Sequence, residues 1–478
     1  MLAQLIGRKE EINVLNRALA SNEAEMISVI GRRRVGKTYL IDTIYGPHMA
    51  FAMSGLQHAN EAGQLLNFNI RMNDYFPAWN KAPATNWLNA FADLNRALVE
   101  VKVAGKKQVV FFDEVPWMAT HKSDFLTGLS FFWNSYASKK DIVVVICGSA
   151  ASWMIKKILR NSGGLHNRVT KRIRLEPFNL AETKAFLDRN FIRYSQEELL
   201  RLYMVMGGVP HYLKEIVPGE SVPQAINRIC FQRGGLLRDE FKSLYPSLFD
   251  QSEYHVRIVR ALAKTQQGYT RSELLKATKM PDGGRVSTVL EELYESGFIT
   301  PFNSFGKKVK GRRYRLTDHY SIFYLRFIEP HDQDKEGVWQ ALSQTASYKS
   351  WCGYGFENVC LYHLPQIKKA LGVSGIYVVP STFYHKAADD IPGAQIDLVL
   401  DRNDGVINLV EMKFSVDPFT LSKAHRDAIQ RQQAVFQHVT KTRKRLSPAL
   451  IAASGIDGGA RWQAVFDAVF DAGILFEE

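Results

Sequence analysis

Long apolar runs are missing from this 478-residue sequence. No uninterrupted stretch reaches the roughly 20 residues needed to cross a bilayer, so no membrane partner is expected. The opening MLAQLIGRKEEINVL turns charged early and shows no apolar region with a small-residue cleavage site, so no secretory leader is expected either. Cysteine is scarce: Cys147, Cys230, Cys352 and Cys360 stand far apart, without the two-residue spacing that builds zinc sites and redox pairs. They read as reduced core residues of a cytoplasmic protein. Acidic charge is in deficit, since 61 Lys and Arg face 48 Asp and Glu, a net charge of +13. That excess points either to an anionic partner, nucleic acid first, or to a merely basic surface.

What is present belongs to folded domains. Apolar residues at 46% and charged residues at 23% exclude a disordered or fibrous chain, and the length exceeds what one core serves, which favours about three domains.

Residues 25–46 read as an apolar strand (EMISVI), a glycine loop (GRRRVGKT) and a helix (YLIDTIYG) with Leu40, Ile41 and Ile44 apolar. Such a loop lets the backbone N–H groups of Gly31, Arg32, Arg33, Arg34, Val35 and Gly36 wrap a phosphate chain. The helix behind it points its positive end at the same place. This is a Walker A motif in the context it requires, with Lys37 reaching the terminal phosphates and Thr38 a ligand of Mg²⁺; ATP and Mg²⁺ are the expected cofactors. A second apolar strand, VVFFDE, ends in Asp113, the expected metal-side ligand, and Glu114, the base that polarises the attacking water. The bland alternative is an acidic turn after a core strand. A third strand, DIVVVICGSA, ends in Ser149, placed to sense the γ-phosphate or only to cap the next helix.

Buried strands alternating with helical stretches such as NWLNAFADLNRALVEV predict a parallel sheet covered on both faces. Taken with IGRKEEINVLNRAL in front and NRVTKRIRLEPFNLAE behind, GRRRVGKT, FFDE and CGSA resemble the archaeal-type P-loop ATPases, relatives of the AAA+ and STAND NTPases. The resemblance implies that Ile6, Gly7 and Arg8 lie on the adenine side. It also makes Arg168, in His166-Asn167-Arg168, the charge-stabilising arginine, with Arg172 next in line; either could equally be a surface or lid residue. An arginine acting across a subunit boundary would require a homo-oligomer.

From Glu176 the apolar spacing turns helical, as in LAETKAFLDRN and SQEELLRLYMVM. GGVPHYL, Gly207 to Leu213, resembles the glycine-x-proline lid signature of STAND-type ATPases, or is an ordinary helix corner. Between Ser252 and Pro330, three short helices and a hairpin follow the winged-helix plan, with Gly283 to Gly297 in the recognition position. Lys307, Lys308, Lys310, Arg312, Arg313 and Arg315 on the wing suit phosphate contacts. Against this, such a module can serve as an interdomain hinge, hairpin charges are usually solvated, and Glu291, Glu292 and Glu295 would repel a phosphate backbone.

After the polar stretch HDQDKEGVWQALSQ, read as a linker, a helix with Glu357 near its start precedes strands IYVVP, QIDLVLDR and VINLVEMKFS. Asp397, Glu411 and Lys413 resemble the PD-(D/E)xK nuclease motif. In strand alternation Glu411 and Lys413, two apart, share a face. The resemblance implies that Asp397 and Glu411 hold Mg²⁺, that Glu357 completes the shell, that Lys413 polarises the attacking water, and that Gln430 lends support from the next helix. A surface hairpin with a Glu411–Lys413 salt bridge is the alternative. Lys441, Arg443, Lys444 and Arg445 either flank a nucleic-acid path or decorate a solvated loop.

The expected organisation is multidomain α/β: a P-loop ATPase core with a parallel sheet (1–175), a helical lid (176–250), a winged-helix domain (251–330) and a restriction-endonuclease-like α/β domain (331–478). The expected function is ATP hydrolysis coupled to DNA binding and metal-dependent DNA cleavage. An ATP-driven switch or DNA-binding regulator with a non-cleaving C-terminal domain is the alternative, and a signalling scaffold for protein partners is a third.

Overall fold

The computed structural model describes residues 5–101, 106–120, 123–159, 164–165, 167–306, 311–331, 337–388, 390–457 and 462–477. Lys307, Lys308 and Lys310 of the wing, His166 and residues 332–336 of the expected linker lie outside the described residues. Contacts divide the chain into two compact units, residues 1–176 with 291–297, and residues 177–290 with 298–478. The segments expected as lid, winged helix and C-terminal domain fall in the second, apart from Glu176 and residues 291–297.

The first unit runs α1 (Lys9–Ala20), β1 (Glu25–Ile30), α2 (Lys37–Tyr45), β2 (Met49–Ser54), α3 (Glu61–Tyr75), α4 (Trp87–Glu100), β3 (Gln108–Asp113), α5 (Val115–Met118), α6 (Phe125–Ser135), β4 (Ile142–Gly148), α7 (Ala151–Met154) and β5 (Lys171–Arg174). Its sheet has the order β2-β3-β4-β1-β5, every pair parallel. Strands β1, β3 and β4 are buried along their whole length, because helices cover both faces and each apolar run then has two sides to bury. Alternate residues go to opposite faces: Met26, Phe112 and Val144 join Phe68, Phe91 and Phe125 from α3, α4 and α6, whereas Ile27, Phe111 and Val145 join Leu15, Leu40 and Ile41 from α1 and α2. The expected parallel α/β layering is present. β1 lies between β4 and β5, so the loops leaving the carboxyl ends of β1, β3 and β4 gather on one edge, where open α/β sheets take ligands.

The second unit opens with α8 (Leu180–Arg189), α9 (Gln196–Met206), α10 (Pro210–Leu213), α11 (Val222–Ile226) and α12 (Leu236–Leu244). Capping boxes Asn179/Glu182 and Ser195/Glu198 start α8 and α9, satisfying backbone donors that would otherwise be orphaned. Gly207 ends α9 at φ 60 and Pro210 begins α10. At Gly208 a Cβ would stand 1.7 Å from the carbonyl oxygen of Phe178. The two backbones cross there, with the Phe178 amide donating to the Gly208 carbonyl at 2.7 Å, and no side chain fits.

Next come α13 (Ser252–Leu262), β6 (Tyr269–Thr270), α14 (Arg271–Thr278), α15 (Gly284–Glu295), β7 (Ile299–Phe302) and β8 (Arg313–Leu316), the strands forming an antiparallel sheet β6-β8-β7. α16 (His319–Phe323), α17 (Val338–Leu342), α18 (Ala346–Tyr362) and α19 (Leu364–Ala370) lead to β9 (Val378–His385), β10 (Ala394–Arg402), β11 (Val406–Lys413), β12 (Phe419–Thr420), α20 (Lys423–Thr440), β13 (Arg445–Ala452), β14 (Ile456–Asp457) and β15 (Ala468–Asp471). The main sheet here is mixed: β9, β10 and β11 are antiparallel, β11, β13 and β15 parallel, in the order β15-β13-β11-β10-β9. Phe383, Ile396, Val399 and Leu409 pack against Val435 and Phe436 of α20.

All four cysteines are buried and unbridged. Burial pushes their thiols up, Cys352 to about 11. Among the described residues no helix is long and apolar enough to cross a membrane.

Candidate functional site

The loop between β1 and α2 closes tightly on the strand beside it. A Cβ on Gly31 would lie 2.2 Å from the Leu175 carbonyl oxygen, so the first loop position admits only glycine. Lys37, 6% exposed, donates from Nζ to the carbonyls of Gly31 and Arg32, each at 3.0 Å, and to Ser149 Oγ at 2.9 Å. Thr38 Oγ1 donates to Asp113 Oδ2 at 2.6 Å, and Ser54 Oγ approaches the same oxygen at 3.4 Å. Asp113 Oδ1 accepts the Glu114 amide at 3.0 Å. Glu114 holds a left-handed backbone, φ 50, a costly conformation for a residue with a side chain. That twist turns its carboxylate onto Ser149, where it accepts both the backbone N–H, at 2.9 Å, and the hydroxyl.

Ser149 therefore bridges the lysine and the base-candidate carboxylate. Sequence reading placed it at a strand end; the bridging role comes from β3 and β4 being neighbours. Two further residues of this pocket had no sequence signal, Ser54 at the end of β2 and Asp42 on α2. The Asp42 carboxyl is raised by burial and by repulsion from Asp113. Thr38 and Asp113 supply adjacent hard oxygen donors beside crowded negative charge, and these residues fit a divalent cation. Lys37, already held by carbonyl oxygens, fits phosphate oxygens in their place. Arg8 is buried and donates to the Val35 carbonyl at 3.3 Å, bracing the loop. Arg168 and Arg172 are exposed, and neither is among the described partners of Lys37, Asp113, Glu114 or Ser149.

Residues 5–216 match the family described as an ATPase domain predominantly from Archaea. This segment resembles a P-loop ATPase domain. Over a longer span, an uncharacterized protein of Methanocaldococcus jannaschii is 25% identical across 448 residues, 90% of this chain and 92% of that protein. The Walker-type ATPase PABY2304 of Pyrococcus abyssi has the same fold, with a TM-score of 0.51 and 18% identity over 67% of this chain and 96% of that one. The match to an ATPase family supports ATP binding and hydrolysis by this domain, and Lys37, Asp113, Glu114 and Ser149 all lie inside the matched segment.

The second unit gathers the C-terminal candidates. β10 carries an irregularity between Ile396 and Val399, a bulge of the kind that re-aims a side chain, and Asp397 sits within it, accepting the Met412 amide at 3.3 Å. Glu411 and Lys413 share a face of β11 and pair at 2.5 Å. Glu357 lies in the C-terminal half of α18, not near the helix start, and pairs with Arg315 of β8 at 3.0 Å. Burial, then repulsion from Asp397, pushes the Glu357 and Glu411 carboxyls up to about 7; burial also raises Asp397. Lys413 is raised as well: burial would lower it, but Glu411, Asp397 and Glu357 outweigh that.

Glu357, Asp397 and Glu411 lie close enough to repel one another. Among the described residues no three acidic, His or Cys side chains converge as a ligand set. The donor chemistry suits a divalent cation, and in this arrangement Arg315 pairs with Glu357 and Lys413 with Glu411. Gln430 is exposed on α20. Gln432 and Gln433 are the glutamines that face the sheet, lining a recess beside Glu411, and Gln432 donates to the Gln395 carbonyl at 2.9 Å.

Two of the described cations on the expected wing are tied inward. Arg315 is 5% exposed, and Arg313 is tied to the Gln267 and Gly268 carbonyls and to Glu273. Of the described wing cations only Arg312 is exposed. Within the first unit, Lys156 and Arg174 pair with Glu291 and Glu295 at 3.1 and 2.8 Å, so two carboxylates expected to repel phosphate are engaged. Lys444 pairs with Asp401 and Arg445 with Asp467.

Proposed function

We propose that ATP turnover in the N-terminal domain controls DNA binding and cleavage at the Asp397–Glu411–Lys413 site. The ATPase half rests on the Lys37–Ser149–Glu114 chain. Lys37 binds the terminal phosphates, exchanging loop carbonyls for phosphate oxygens. Thr38 and Asp113 would hold Mg²⁺, which would neutralise phosphate charge. Glu114 takes the proton of the attacking water, once its hydrogen bonds to Ser149 are exchanged for that water. Arg168, which is exposed, would supply the charge-stabilising guanidinium to a neighbouring copy of the chain, which would make the working form a homo-oligomer.

The single observation that carries the C-terminal half is the pairing of a bulged Asp397 strand with a Glu-x-Lys strand at the centre of a mixed sheet. That order of helix, antiparallel strands, helix and parallel strand supports a restriction-endonuclease-like fold, and the β6-β8-β7 sheet with α13, α14 and α15 supports a winged helix. Lys413 would polarise the attacking water and Asp397 and Glu411 would complete the centre. One observation favours the second reading, an ATP-driven DNA-binding regulator that does not cut: both glutamates are occupied by internal cations.

The deciding experiment incubates plasmid and single-stranded DNA with the full chain in Mg²⁺ or Mn²⁺, with and without ATP, beside Lys37→Ala and Asp397→Ala. Cutting lost in Asp397→Ala and changed by ATP only when Lys37 is present is the expected result. DNA binding without cutting under any condition would replace the nuclease by the regulator, and absence of both would leave an ATPase acting on other partners.

A further inference from the structure

The winged-helix hairpin is fastened to the C-terminal sheet at two points. At one, the Phe305 amide donates to the Thr382 carbonyl at 2.9 Å, the Thr382 amide donates to the Asn303 carbonyl at 3.4 Å, and Ser304 bridges Thr382 in parallel sense. The Phe305 ring then packs 4.9 Å from Phe436, beside Phe383. The wing thereby covers the open edge of β9, which would otherwise present unpaired backbone groups. At the other point Arg315, on the return strand β8, reaches Glu357 on α18.

This second contact is poorly satisfied. Arg315 is 5% exposed, its guanidinium lies 4.5 Å from the Tyr354 ring, and it makes one 3.0 Å ion pair, while its Nε has no hydrogen-bond partner among the described residues. A buried guanidinium with an unanswered N–H carries a desolvation cost that the ion pair offsets only in part. Its charge also acts on Asp397. A cation so placed opposes a divalent ion twice over, by occupying one carboxylate and by repelling the ion.

We propose that Arg315 is a latch on the carboxylate site: carried by the wing, it keeps Glu357 from joining Asp397 and Glu411 around a divalent cation, so that the site accepts metal when the wing is released. The inference rests on the reading of these three carboxylates as a cation site. It accounts for the absence of a convergent ligand set among residues otherwise suited to one.

The test is Mn²⁺ binding to the nucleotide-free full chain, read by electron paramagnetic resonance of the unbound ion, for the wild type, Arg315→Met, Arg315→Lys and Asp397→Asn. The binding that Asp397→Asn removes belongs to this site. Arg315→Met should tighten that component about tenfold, equivalent to about 1.4 kcal/mol, whereas Arg315→Lys, which keeps the charge, should leave it near wild type. Asp397-dependent binding that is unchanged or weaker in Arg315→Met overturns the latch and leaves the cation site standing. If no variant shows Asp397-dependent binding, the cation-site reading fails and the latch with it. Should Arg315→Met not fold, Tyr354→Leu removes the ring beside the guanidinium and keeps the ion pair; it should tighten Mn²⁺ by a smaller factor, and no change would again count against the latch.

Discussion

Ser149 makes three hydrogen bonds in the nucleotide pocket, to the ammonium of Lys37 and to both oxygens of the Glu114 carboxylate. A hydroxyl shared in this way can keep base and lysine apart until phosphate arrives and then fix the base. Ser149→Ala should therefore preserve ATP binding, measured by fluorescence titration of a labelled analogue, and lower kcat by about 10²-fold, the usual cost of removing one well-placed polar group from a reacting centre. Equal loss of binding and turnover would assign Ser149 to the ground state instead. Lys37 and Thr38 were legible in the sequence because a loop of fixed spacing carries its own geometry. Ser54 and Asp42 were not, since nothing local says that β2 lies against β3 or that α2 turns a carboxylate toward Asp113. The Gln430 expectation failed by helix phase: on α20, residues 429, 432, 433 and 436 form the inward face, and Gln430 falls outside it.

At the scale of elements, the described part of the expected wing has partners that composition could not show. Counting its cations suggested a phosphate-binding hairpin, but the partner of Arg315 lies 42 residues further along, and Phe305 finds its ring partner on α20. Phe305→Ala should loosen the hairpin from β9 at a cost of about 2 kcal/mol for a half-buried ring. Amide exchange across 299–316 and 378–385 should rise together while exchange in β11 and β13 stays unchanged; uniform exchange throughout the unit would mean that Phe305 holds the whole core. By contrast, β1, β3 and β4 could be read directly, because a strand buried on both faces is apolar along most of its length; β2 and β5, partly exposed at the sheet edges, could not.

For the whole molecule, the net charge of +13 is the excess left after each internal ion pair has cancelled, so the paired cations are not the ones a polyanion would grip. Arg313, Arg315, Lys444 and Arg445 are all committed to internal carboxylates. Each phosphate neutralised steepens the salt dependence of DNA binding by nearly one power of concentration. Fluorescence anisotropy between about 50 and 200 mM salt should give a slope shallower than the six wing cations would produce. Arg313→Gln should leave that slope unaltered. A steep slope that falls with Arg313→Gln would show the wing gripping phosphate after all.

The unbridged cysteines lend themselves to a practical use. Thiols with raised pKa values behind packed side chains are almost entirely protonated at neutral pH, and only the thiolate attacks alkylating reagents. The native chain should thus be nearly silent to maleimide dyes, and a cysteine introduced at exposed Arg312 would be the one position to take the label. The protein comes ready for a single fluorophore that reports wing movement in real time, with no native thiol to remove first.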